Sequence, residues 1–247
     1  GVIGDDIEQE AEDAENEYHI PVIAMPFAGF LGGEYSDAYY KTVDVIISRF
    51  FKKQDHVPGR VLLLGDQMGP DGQYAREVKR ILSLFGLDVH WQFPGYVPFD
   101  EWKAIPSASL SILLGTAGQP GGMLDVAKRL ENDFDIPTLG DVYPVGWENT
   151  CQWIRALGEK LGQVEKAEAI VKAEEKQLSD TISSYIPVTR GKKVVLAIGR
   201  GPRWYHPVET LKGLSRLDMD ITGVVYFDNL TEEEKKTFDG QIHAAYG

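Results

Sequence analysis

An α/β fold of doubly wound parallel sheets with a long connecting helix is predicted by three features of this 247-residue sequence. The first is the run Arg60-Val61-Leu62-Leu63-Leu64-Gly65-Asp66. An unbroken apolar run marks a strand of a parallel sheet covered on both faces, whereas a half-solvated strand alternates. The second is the regular exchange of such runs with segments of helical period, the pattern of repeated βαβ units. The third is a set of Gly-rich turns directly after the strands, where doubly wound folds bind ligands.

Residues 5–18 are acidic with helical period, and Pro21 to Met25 is expected to be a short strand. Glu34 to Lys52 follows as a helix, with Tyr39, Val43, Ile46, Ile47 and Phe50 on one face. A complete α/β unit comes next. Its strands are expected at Arg60–Asp66, Asp88–Phe93, Ser109–Leu114 and Ile136–Leu139, and its helices at Asp71–Phe85, Phe99–Ile105, Met123–Phe134 and Trp147–Leu161. Gly86 is placed to end the helix before it. Glu165 to Tyr185 is a long charged helix bridging two α/β layers. Strands at Lys193–Gly199 and Ile221–Phe227 then flank a helix at Val208–Leu217. Thr231 with Glu234 three residues on is a capping box that opens a last helix, to Phe238. The expected domains are 1–55, the end of a first α/β domain; 56–162, a complete central one; 163–190, the connecting helix; and 191–247, the start of a third. Both ends of the chain look cut.

Composition narrows the function. The chain is 43% apolar and 26% charged, as in ordinary globular proteins. Its net charge of −13 opposes binding to nucleic acid or anionic lipid, which rely on Lys and Arg neutralising phosphates. No apolar run approaches the roughly 18 residues of a membrane span, and no signal peptide is visible, so a cytoplasmic location is expected. The lone Cys151 can form no internal disulfide and cannot alone hold an iron–sulfur cluster; in its helical setting it is a small buried hydrophobe. His19, His56, His90 and His243 lack metal-site spacing, so no metal ligand set is expected within the chain.

Three turns follow strand ends. Gly65-Asp66-Gln67-Met68-Gly69-Pro70-Asp71-Gly72 lacks dinucleotide-binding spacing, and Pro70 removes an amide donor; it is a structural strand-to-helix turn. The turn from Gly115 to Met123, with Thr116 and Gly118, holds four glycines. Either a large ligand approaches its backbone closely, or the loop is merely permissive. Gly199 to His206 gathers Arg200, Arg203, Trp204 and His206 at a strand end, a group suited to an anion or metallocofactor.

Gly4-Asp5-Asp6-Ile7, Gly29-Phe30-Leu31-Gly32, and Ile136-Pro137 followed by Gly146 and Thr150 carry a resemblance to the nitrogenase component 1 superfamily. That superfamily comprises the molybdenum-iron protein subunits, their cofactor-assembly paralogues and the dark protochlorophyllide reductases. The likeness is closer to the α or assembly-scaffold type. By this resemblance Gly115 stands where a cysteine ligates the active-site cluster, Phe27 replaces a cysteine, and Tyr35 and Tyr39 replace a Gln and a His beside the cofactor. The cofactor-facing candidates it implies are Tyr35, Tyr39, Gly115, Thr116, Gly118, Arg200, Arg203, Trp204 and His206.

The resemblance also implies a parent protein with an iron–sulfur or related metallocluster whose cysteine ligands lie upstream of Gly1. Its partners would be a homologous subunit and an ATP-dependent iron protein that supplies electrons. The missing ligands at Gly115 and Tyr39 argue against dinitrogen reduction and for another unsaturated substrate. Two alternatives stay open: a non-catalytic scaffold for cofactor assembly, and a metal- or cofactor-binding protein of the periplasmic type. The fragment alone is expected to be inactive and to take up no iron.

Overall fold

The computed structural model describes residues 6–25, 35–65, 69–114, 122–198, 207–227 and 230–246. They fall into two units, Gly1–Phe51 and Lys52–Gly247.

In the first unit, α1 (Ile7–Tyr18) starts at Asp6, whose carboxylate accepts from the Gln9 amide at 3.1 Å, and it ends at His19 in the left-handed region. Such a cap satisfies one of the amides that a helix start leaves free. In α2 (Tyr35–Phe50) the buried residues Val43, Ile47 and Phe50 share one face, as their spacing predicts. Arg49 pairs with Glu15, tying α2 to α1. The strand expected over Pro21 to Met25 does not form. A strand exists only by pairing, and this segment joins neither described sheet; Pro21 has no amide hydrogen, and the Val22 amide donates to the Glu15 carboxylate instead.

The second unit is built on a parallel sheet ordered β2-β1-β3-β4, with β1 Val57–Leu64, β2 Asp88–Phe93, β3 Ala108–Leu113 and β4 Thr138–Leu139. Val61 to Leu64 are fully buried, so the apolar run is a strand covered on both faces. α3 (Gln73–Leu84), α5 (Trp147–Lys160) and α6 (Val164–Thr189) enclose one core with Val61, Leu63, Leu110 and Ile112. α4 (Met123–Phe134) packs on β3 and β4, with Ala127 and Leu130 buried outside that core. Right-handed crossovers that run one way from β1 to β2 and the other way from β3 to β4 require helices on opposite faces. A 3-10 helix, Phe99–Ser107, carries the chain from β2 to β3. After α3 the Leu87 amide donates to the Leu82 carbonyl and the Gly86 amide to that of Ser83, with Gly86 at φ 81. This is the helix ending that glycine permits.

α6 is longer than expected, reaching Thr189 through Pro187. It is tied to α3 by Arg80, whose guanidinium donates to Glu174 at 2.6 and 2.9 Å and to Glu77 at 2.7 and 2.9 Å. A smaller lobe follows, with β5 (Lys193–Ile198) and β6 (Asp220–Tyr226) paired in parallel through α7 (Pro207–Arg216), then α8 (Glu232–Tyr246). The capping box holds: the Glu234 amide donates to Thr231 Oγ1 at 3.2 Å and the Thr231 amide to Glu234 Oε2 at 2.8 Å. Among the described residues no helix is long and apolar enough to cross a membrane.

The α5–α6 crossing rests on Gly158. A Cβ there would lie 2.4 Å from Ala167 Cβ and 3.2 Å from the Gln163 carbonyl oxygen. Glycine to alanine inside a helix normally gains about 1 kcal/mol. Here the clash outweighs that gain, because overpacking typically costs about 1–3 kcal/mol. Gly158→Ala is therefore expected to destabilise the protein in urea unfolding followed by circular dichroism, and adding Ala167→Gly should return part of the loss. A stabilised Gly158→Ala would show the crossing to be looser than this contact.

Candidate functional site

The chain leaves β1 and β3 in opposite directions, so the crevice beyond their carboxyl ends is the switch point of the sheet. α3, α4 and α5 each begin at that edge, because each follows a parallel strand. Their N-caps are Gly72, Gly122 and Gly146, and none supplies a side-chain hydrogen bond. The first-turn amides therefore lack the usual Ser, Thr or Asp partner, while the helix dipole favours negative charge beside them. α4 and α5 carry Asp125 and Glu148 in their first turns, but α3 has no acid there. The start of α3, at the switch point itself, is the best suited of the three to an anion.

The walls of the crevice are tied together. The Leu114 amide donates to the Leu64 carbonyl and the Gly65 amide to that of Phe93, both at 2.9 Å, which continues the sheet to its edge. Tyr74, in the first turn of α3, donates its hydroxyl to the Leu114 carbonyl at 2.7 Å. Burial, with nearby Tyr143, pushes the Tyr74 hydroxyl far above its ordinary range, so it stays a donor. Gln92 is buried and donates to the Gly65 carbonyl at 2.9 Å, leaving its own Oε1 without a partner. Tyr96 packs on Gly69, where a Cβ would lie 3.3 Å from the ring. None of Tyr74, Gln92 and Tyr96 stands out in the sequence. The one clue is position: Tyr74 is two residues past a glycine N-cap, and Gln92 is the polar residue near the end of an apolar strand.

Of the cofactor-facing candidates, Tyr39 is described. It is half-buried in α2, its ring edge-on to Tyr40 at 5.2 Å. Tyr35 begins α2, and its side chain lies outside the described residues. Gly115, Thr116, Gly118, Arg200, Arg203, Trp204 and His206 also lie outside them. The described parts of those two turns are their anchors: Leu114 and Gly122 on either side of one, Ile198 and Pro207 on either side of the other.

Ligation of a metallocluster does not fit the described residues. Among them no three His, Cys, Asp or Glu side chains are grouped as a metal ion requires. The thiol of Cys151 is packed in the core beside Trp153 and Ile154, and burial raises its pKa, which disfavours the thiolate that would ligate. His56 is engaged by the Phe134 carbonyl at 3.0 Å, and His19 caps α1. Non-covalent accommodation of an anionic group at the uncapped helix starts does fit.

A second group of charges gathers where α5 begins. The Arg216 guanidinium donates to Glu148 Oε1 at 2.7 Å, and Lys212 Nζ lies 2.7 Å from Glu209 Oε1 and 3.9 Å from Glu148 Oε2. Burial pulls the Glu148 pKa upward. Its own backbone amide and Arg216, with Lys212, outweigh that and leave the carboxyl below its usual range.

The family of nitrogenase component 1 type oxidoreductases matches residues 1–244 of this chain. The nitrogenase molybdenum-iron protein alpha chain of Methanococcus maripaludis is 25% identical over 98% of this chain and 50% of that protein. The nitrogenase iron-molybdenum cofactor biosynthesis protein NifE of Sinorhizobium fredii is 23% identical over 95% of this chain and 47% of its own length. The chain thus spans about half the length of the curated relatives it matches. A solved structure of nitrogenase Cp1 at pH 6.5 superposes with a TM-score of 0.68 at 19% identity, covering 92% of this chain and 42% of that one, and it shows the same fold. On the match over residues 1–244, the chain belongs to the nitrogenase component 1 type oxidoreductase family.

Proposed function

We propose that this chain is the central part of a nitrogenase component 1-like subunit whose sheet edge accommodates an anionic metallocofactor without ligating it. The carrying observation is the pair of glycine-capped starts of α3 and α4 along the edge that contains the switch point, the start of α5 being filled by Glu148 and Glu209. Free amides and a helix dipole favour negative charge, and glycine lets a large group come close to the backbone. By resemblance, the turns beginning at Gly115 and Gly199 extend this surface with Arg200, Arg203, Trp204 and His206. The organisation into 1–55, 56–162, 163–190 and 191–247 belongs to the same reading.

The proposed parent draws electrons from an ATP-dependent iron protein, pairs with a homologous subunit and reduces a substrate other than dinitrogen. A second reading is a non-catalytic scaffold that holds the cofactor in transit. It is favoured by the match to the NifE biosynthesis protein and, by the resemblance, by Gly115 standing where an α-type subunit would carry a cluster-ligating cysteine.

The protein encoded by the whole coding sequence that contains these residues, purified anaerobically, tests both. It is expected to carry iron and acid-labile sulfide in stoichiometric amounts, with an electron paramagnetic resonance signal. Its reoxidation after ATP-driven reduction by an iron protein, in the presence of substrate, marks an enzyme. Bound cofactor that passes to an acceptor protein without turnover marks a scaffold. A whole protein free of iron under these conditions sinks the proposal. Tyr74→Phe removes the donor to the Leu114 carbonyl and is expected to cost about 1 kcal/mol in urea unfolding, the net worth of a typical internal hydrogen bond. Faster amide exchange at the end of β3 should accompany that loss; unchanged exchange would show that the tie is idle.

A further inference from the structure

Between the helices on the four-stranded sheet and α7 of the smaller lobe lies a cleft of about 590 Å³, backed by α6. Its walls are largely apolar: Val78 and Ile81 of α3 and Trp147 of α5 on one side, Leu214 and Leu217 on the other. The cleft keeps these apolar walls apart where it runs between them. Lobes joined by small, polar contacts move relative to each other by default.

What crosses the gap is charge. Glu209, Lys212 and Arg216 recur at helical spacing on one face of α7 and meet Glu148 and Gly146 at the start of α5. Arg216 and Lys212 straddle the Glu148 carboxylate at 2.7 and 3.9 Å. The Glu209 side chain is only 8% exposed and is pressed onto Gly146, where a Cβ would lie 2.1 Å from its Oε2. Gly146 has φ 80 as well, so both space and backbone demand glycine there. The contact is held at a cost, since Oε2 of Glu148 and Oε2 of Glu209 are buried without a hydrogen bond.

Beyond the far end of α7 the chain is pinned to the end of α6. Thr189 Oγ1 donates to the Leu217 carbonyl at 2.6 Å, the Gly191 amide to the Asp218 carbonyl at 2.8 Å, and Arg190 pairs with Asp218. Gly191, at φ 68, follows directly. One end of α7 is thus a backbone-bonded pivot, while its face toward α5 is held by side-chain charges.

We propose that Glu209, Lys212 and Arg216 form an electrostatic latch with Glu148 and Gly146, and that its release lets the 193–246 lobe swing about the end of α6 and open the cleft. Side chains of Glu148, Lys212 and Arg216 are 37–43% exposed, so salt reaches and weakens them. The latch occupies the start of α5 with the protein's own carboxylates, and it does not require an anion at the starts of α3 and α4.

Nitroxide labels on Arg76→Cys in α3 and Glu233→Cys in α8, both exposed positions, in a Cys151→Ala background, report the angle by pulsed electron–electron distance measurement on the whole chain. At low ionic strength a single narrow distribution is expected. About 0.5 M sodium chloride, which shortens the Debye length well below 10 Å, should add a longer-distance population. Glu148→Gln and Lys212→Met should add the same population without salt. The charge swap Glu148→Arg with Arg216→Glu should restore the narrow distribution and a native circular dichroism spectrum, which separates release of the latch from unfolding. Distributions identical to the parent's in all variants and at high salt would overturn the proposal, as would one already broad at low salt, or a swap that restores nothing.

Discussion

Concealment of β1 on both faces is the constraint from which the larger unit follows. Val61, Leu62, Leu63 and Leu64 are removed from water completely, and side chains alternate along a strand, so no single layer can hide them. Each is worth roughly 1.5–3 kcal/mol of transfer free energy. Exposing even one face would spend a large part of the 5–15 kcal/mol by which a domain is stable. Helices must therefore lie on both sides, α3, α5 and α6 on one and α4 on the other. With right-handed crossovers, that requirement sends the chain outward in both directions from β1 and β3. The switch point and the free helix starts beside it are consequences of burying a strand, and any ligand chemistry at that edge uses a geometry the core already demands.

The smaller lobe lacks this constraint. β5 and β6 are as apolar in sequence as β1, yet among the described residues they pair only with each other, and Val195 and Val225 remain more than half exposed. The end of α6 and charged side chains of α7 tie it to the rest of the unit. Apolar burial is non-directional and tolerates little looseness in a packed core. Ion pairs between half-exposed side chains contribute little and are screened. The two lobes therefore differ in what fixes them, and the cleft lies where one kind of interaction gives way to the other.

Elements set by local period were legible in the sequence. α4 spans Met123–Phe134 and β2 spans Asp88–Phe93, the bounds their apolar spacing implies, and the Thr231–Glu234 capping box forms as written. What depends on a distant partner was not. Pro21 to Met25 has strand composition but pairs with no strand among the described residues, and a ladder cannot be judged from one side. α6 runs on to Thr189 through Pro187, a residue that lacks an amide hydrogen and ordinarily ends a helix, so nothing local marks that continuation. In the candidate site, the turns following β1 and β3 were visible from their glycines, while the tie from Tyr74 to Leu114 joins residues 40 apart and that from Arg216 to Glu148 residues 68 apart. No spacing rule connects such pairs. Gly146 could be seen as a helix-starting glycine, but not as the seat of the Glu209 carboxylate.

Family membership and residue chemistry answer different questions here. The match over residues 1–244 conveys an architecture, and that architecture sets helix starts around a crevice whatever the crevice holds. Whether a cluster is gripped or merely cradled depends on ligating atoms. A thiolate bond fixes a cluster's position and tunes its potential, whereas amides and glycines supply only field and room. The chain's single thiol is spent in the packing of α5, where burial holds it in the protonated, non-ligating form. Under the proposed reading the described residues supply only field and room, as a cradle does, and a covalent grip would come from atoms outside them. A cradle without a grip suits a cofactor that moves on as well as one that stays, which is why turnover and transfer have to be told apart by measurement on the whole protein.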